Sequence, residues 1–143
     1  MVDVNVVTAK LRELAERIAR VRAHCPPTAA ALAADRDALD LVSFNLMLAV
    51  QTCLDTASHL ISDEGWAPAA TYAEAFRILH DNGVISGQAA EQLGKATGLR
   101  NVVVHGYAGA DPEQIHHAAV AGVADLERFG REVSAWIAGR PRP

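Results

Sequence analysis

Arg100-Asn101-Val102-Val103-Val104-His105-Gly106-Tyr107 sets a fixed cation, a proton carrier and a phenol within eight residues. A guanidinium grips phosphate through a planar fork of N–H donors, and an imidazole gives or takes a proton near neutral pH. Together they suit cleavage of a phosphodiester. Taken singly, each residue has a plainer explanation. Arg100 could serve the C-terminal end of a helix or pair with an acid such as Glu91 or Asp111, and His105 could be a helix-end cation. Tyr107 could be a half-buried packing ring with a bonded hydroxyl. Their coincidence at R-x4-H-x-Y spacing is what argues for a site.

The elements that must position these groups are helices. Alanine and leucine recur at helical spacing, while prolines and glycines fall between the blocks. The pattern predicts an all-α, single-domain antiparallel bundle of about five helices over residues 1–143, with 139–143 a frayed tail. A first helix spans about Thr8 to Ala23, with Leu11, Leu14, Ala15, Ile18 and Val21 on one stripe, and Cys25-Pro26-Pro27 ends it. A second runs from about Ala29 or Asp35 to Ser62 and is apolar over much of its circumference, as a helix with neighbours on more than one side must be. Thr71-x-x-Glu74 is a capping box that opens a short third helix ending near Asn82-Gly83. Ser86 caps a fourth that runs toward His105. Asp111-Pro112-Glu113-Gln114 starts a fifth that continues to about Ala138. The run Val102-Val103-Val104 favours a strand by propensity, but nothing else in the chain could pair with it, so it is assigned to the fourth helix. Gly106 is placed to stop that helix and leave Tyr107 on the following loop.

Composition narrows the function classes. The net charge of −4 excludes a generally basic nucleic-acid binder, so any contact with phosphates must be local. Basic residues gather near both ends: Lys10, Arg12, Arg17, Arg20 and Arg22 at the start, and Arg128, Arg131, Arg140 and Arg142 at the finish. Asp35 to Glu64 holds six acids against Arg36. A modest basic face would follow if the first and last helices lay side by side; solvated helix faces, with Glu13/Arg17 and Glu16/Arg20 as i,i+4 pairs, are the plainer expectation. Leu41 to Ile61 is the most apolar stretch, but Asn45, Gln51, Asp55 and His59 interrupt it, so it reads as a buried helix and no membrane association is expected. No export signal is evident, and the expected location is the cytoplasm.

R-x4-H-x-Y with Asn101 after the arginine, set late in a fourth helix behind a long second and a short third, resembles the signature of the HepT-like (DUF86) branch of the HEPN ribonuclease superfamily. Gln51-x3-Asp55-x3-His59 is similar to a polar ridge of that family, whereas Gly106 stands where relatives commonly carry a larger polar residue. The resemblance implies a HEPN-like bundle and a metal-independent endoribonuclease toxin that needs no cofactor. In such cleavage the 2′-hydroxyl attacks the neighbouring phosphorus. One group accepts its proton, another protonates the departing 5′-oxygen, and a cation neutralises the phosphoryl oxygens. One histidine does not easily fill both proton roles, so a homodimer bringing two motifs into one cleft is expected. Arg100 and His105 are then the catalytic residues, with Asn101 and Tyr107 orienting them or the substrate. The implied partners are RNA, not DNA, and a cognate minimal nucleotidyltransferase antitoxin that attaches AMP to Tyr107. The alternative is a non-catalytic helical subunit that binds substrate or nucleotide for a small nucleotidyltransferase.

Other polar positions carry less. Asp55 and His59 supply two metal ligands at most, which is not a site; a buried polar pair bridging helices is the plainer expectation. His116 and His117 diverge on a helix and read as surface residues. Trp66 and Trp136 read as isolated packing anchors, and Cys25 and Cys53 as free thiols.

Overall fold

The computed structural model describes residues 1–104 and 111–141. Its first helix, α1 (Val4–His24), starts earlier than Thr8 because the Asp3 carboxylate accepts the N–H groups of Asn5 and Val6 at 3.0 and 3.2 Å. It stops at Cys25, ahead of the two prolines. Of the two expected starts for the second helix, Asp35 is the one that opens the long helix, and Ala29 opens a separate short one. Thr28 caps α2 (Ala29–Ala34), then Asp35 leaves helical geometry and caps α3 (Arg36–Asp63) through an N–H bond from Ala38. A short acidic side chain competing for backbone N–H groups explains the break.

Thr71 Oγ1 accepts the Glu74 N–H at 3.1 Å to open α4 (Tyr72–Asp81). Glu74 reaches back to the N–H of Ala70, one residue before the one a capping box predicts. Gly83, at φ 74°, closes α4 by letting the Val84 N–H reach the Leu79 carbonyl at 2.8 Å. Ser86 Oγ accepts the Ala89 N–H at the start of α5 (Gly87–Val104), which carries Val102 to Val104 in helical form. The last expected helix is α6 (Pro112–His117), a π-helical turn (Ala118–Gly122) and α7 (Val123–Ala138), running continuously. Asp111 caps its start through the Glu113 N–H at 3.0 Å.

The long α3 is the axis of an all-α bundle, with α1, α4, α5 and α7 packed around it. Its Val42, Leu46, Ala49, Val50, Cys53, Leu54, Ala57, Leu60 and Ile61 are buried, which accounts for apolar residues on most of its circumference. By length and composition α3 could cross a membrane, yet half of its most apolar window is enclosed by the other helices. Asn45, buried in that window, donates to the Leu41 carbonyl and accepts from Arg17, so its amide is satisfied internally. Phe76 of α4 and Phe129 of α7 meet edge to face at 5.9 Å, tying the short helix to the last.

Three surface expectations are corrected. Trp66 and Trp136 are not isolated: their rings meet at 6.3 Å, and the Arg140 guanidinium lies 4.4 Å from the Trp136 ring. Arg140 also makes a two-pronged ion pair with Glu64 at 2.8 and 2.9 Å, which anchors that residue, within the span where fraying was expected; residues 142 and 143 lie outside the described residues. His116 is half-buried, its Nε2 lying 3.0 Å from the Pro26 carbonyl, which fastens α6 to the corner after α1.

Candidate functional site

Arg100 lies one turn before the last described residue of α5, facing the middle of α3. Its Nε donates to Gln51 Oε1 at 2.9 Å, and its Nη1 donates to Asn101 Oδ1 at 2.8 Å. The Gln51 amide nitrogen donates in turn to Asp55 Oδ1 at 2.8 Å, one helical turn along α3. That second bond turns the carboxamide so its oxygen faces the guanidinium. The remaining wall is Tyr72 at the start of α4, whose ring centroid lies 5.3 Å from the guanidinium carbon. Three elements thus fix one cation: α3 through a carboxamide, α5 through its own next residue, and α4 through an aromatic face.

Both hydrogen-bond acceptors are neutral amides. They hold the guanidinium without cancelling its charge, and among the described residues no carboxylate pairs with Arg100. The acids that could have explained it away are engaged elsewhere: Glu91 with Lys95 at 3.3 Å, and Asp111 in capping α6. Asn101 supplies the second of these two amides. His105 and Tyr107 lie outside the described residues; His105 follows the last residue of α5 directly in sequence.

The ridge on α3 divides into two. Asp55 is exposed and belongs to the Gln51–Arg100 network. His59 Nε2 sits 3.0 Å from Asp63 Oδ2, but without hydrogen-bond alignment, and Asp63 Oδ2 also accepts the N–H of Asp3. Asp55 and His59 are therefore not the buried pair expected: Asp55 is exposed, and their contacts run to Gln51 and Asp63, each one turn away on the same helix. No cluster of three or more metal-ligating side chains occurs among the described residues.

The first and last helices do pack side by side. The basic face this could create is reduced, since Arg22 of α1 is bonded to Glu127 of α7. That hydrogen bond holds the Glu127 carboxyl below the usual carboxylate range and raises Arg22. Cys25 and Cys53 are free thiols. Burial alone pushes both upward, Cys53 far more, which makes it inert as a nucleophile.

Sequence reasoning missed Tyr72. Its connection to Arg100 spans two helices and 28 positions (100 − 72), with no shared periodicity to reveal it.

A family model described as "Ribonuclease HepT-like" matches residues 14–133. The chain belongs to the HepT-like family. That HepT-like span contains Gln51, Tyr72, Arg100 and the whole R-x4-H-x-Y motif. Among curated relatives, an mRNA nuclease HepT of Shewanella oneidensis is 28% identical over 90 residues, covering 63% of this chain and 68% of the relative. A tRNA nuclease HepT of Aphanizomenon flos-aquae is 27% identical over 92 residues, covering 64% of this chain and 63% of the relative.

Among solved structures, the Shewanella oneidensis HEPN toxin, tri-AMPylated and in complex with MNT antitoxin, matches with a TM-score of 0.83 at 24% identity, over 94% of this chain and 99% of that one. A cytosolic Bacillus subtilis protein, YutE, matches with a TM-score of 0.84 at 17% identity, over 99% and 96% of the two chains. At these identities the likeness is one of fold, and it is the HEPN-like bundle that the motif and helix order implied.

Proposed function

We propose that this HepT-like chain is a metal-independent endoribonuclease toxin of the cytoplasm, cutting RNA in a cleft shared by two copies. The observation that carries the reading is the Arg100 guanidinium, fixed by two neutral amides and an aromatic ring with its charge left for a phosphate. Such a preorganised cation stabilises charge that develops on the phosphoryl oxygens, without reorganising at the moment of reaction. His105 supplies general acid and base catalysis, the two proton roles divided between the two copies. Asn101 holds Arg100 in register.

The partner in this proposal is a minimal nucleotidyltransferase antitoxin that attaches AMP to Tyr107. The AMPylated Shewanella toxin bound to MNT antitoxin supports that reading by likeness. A bulky anionic adduct close to an anion-binding cleft excludes RNA by sterics and by like charge. The test is co-expression with a minimal nucleotidyltransferase, followed by peptide mass measurement and growth assay. An AMP adduct on the Tyr107 peptide, lost in Tyr107→Phe together with neutralisation, is expected. Full neutralisation of Tyr107→Phe without any adduct would overturn the modification, and a free chain that neither inhibits growth nor cuts RNA would overturn the nuclease.

A further inference from the structure

We infer that Tyr72 is a positioning residue for RNA binding, a ring that braces the Arg100 guanidinium in its phosphate-gripping orientation. The inference rests on the ribonuclease reading above and adds a residue to its site. Arg100 is bonded along one edge to Gln51 and at one amine to Asn101, and both bonds lie within the plane of the guanidinium fork. Hydrogen bonds in a plane do not stop the group from tipping out of it. A ring packed beside the group opposes that tipping, and the guanidinium carbon lies over the Tyr72 ring, 5.3 Å from its centroid and within cation–π range.

Core packing does not account for Tyr72, since 48% of it is exposed. Its backbone is fixed nonetheless. It is the first residue of α4, directly after the Thr71 cap, on a helix anchored by buried Ala75, Phe76 and Leu79. A large aromatic held at the edge of the bundle, with a cation over its ring, fits a bracing role. Because the bracing surface is the ring face, phenylalanine can replace tyrosine, and a branched aliphatic side chain cannot.

Binding of a fluorescein-labelled single-stranded RNA of mixed sequence, followed by anisotropy in a His105→Ala background so that the probe survives, tests this directly. Tyr72→Leu is expected to weaken binding about two- to fivefold, the range of a partly exposed cation–π contact. Tyr72→Phe should bind as the parent does. With Arg100→Ala already present, Tyr72→Leu should have no further effect, which a merely structural role would not produce. Parental affinity in Tyr72→Leu, or an equal loss with and without Arg100, overturns the brace while leaving the nuclease reading intact. If Arg100→Ala itself binds and, with His105 restored, cuts RNA like wild type, Arg100 is not the phosphate-binding cation and the brace fails with it, whereas a parent chain that neither binds nor cuts RNA would overturn the nuclease reading. Circular dichroism of each variant separates these outcomes from misfolding, and Tyr72→Trp provides a second ring if Tyr72→Leu does not fold.

Discussion

Arg100 shows how a residue's meaning depends on what its neighbours leave undone. A surface arginine paired with a carboxylate contributes little beyond solubility, whereas one held by amides keeps its charge for a ligand. The Gln51 bond is the anchor that sets this geometry, and Gln51→Ala should lower the rate of RNA cleavage about tenfold, as loss of a hydrogen bond to a charged group implies. Single-turnover cleavage with labelled RNA checks it; an unchanged rate in a folded variant would show that Gln51 does not orient the cation. The motif was legible because Arg100, Asn101, His105 and Tyr107 are close in sequence, and Gln51 because it repeats with Asp55 along one helix face. Tyr72 and the separate fates of Asp55 and His59 were not. Those depend on which residues of distant segments become neighbours, and no local pattern encodes that.

The helices were read correctly in type and order because their signals are local. Caps at Thr71, Ser86 and Asp111 each make the bond their side chain is suited to make. Local caps decided the boundaries: Asp3 starts α1 early, and Asp35 separates the short α2 from α3. Two changes test the caps. Thr71→Ala should cost about 1 kcal/mol by leaving the first turn of α4 unsatisfied. Gly83→Ala should cost a similar ~1 kcal/mol, since a side chain there must adopt the left-handed φ of 74°. Urea denaturation measures both, and stabilities within error of wild type would contradict the assigned cap roles. Between elements, the Arg22–Glu127 contact joins α1 to α7. Because the folded Glu127 carboxyl lies below its unfolded value, its contribution is present at neutral pH and is lost as pH falls through that depressed range. Both side chains are substantially exposed, so the effect is small and screened by salt. Glu127→Gln should narrow the gap between the neutral and acid melting temperatures, most visibly at low ionic strength.

For the molecule as a whole, charge and fold together set the style of recognition. With a net charge of −4 and part of its basic surface internally paired, the protein presents a local cation in place of a broad cationic field. The logarithm of RNA affinity should therefore fall only shallowly with the logarithm of salt, with a slope of roughly −1 to −2 for a few neutralised phosphates. A steep slope would reveal a distributed basic interface. The all-α class was legible from composition and periodicity, while the side-by-side packing of α1 and α7 emerged only from the structure. The most direct test of the central claim is cleavage of labelled RNA by the purified protein in excess chelator, with Arg100→Ala and His105→Ala verified as folded and assayed alongside. The wild-type protein is expected to cut RNA under these conditions, with the activity lost in both variants. Cleavage that stops on chelation, or that survives unchanged in either variant, would contradict an arginine and histidine site that works without metal.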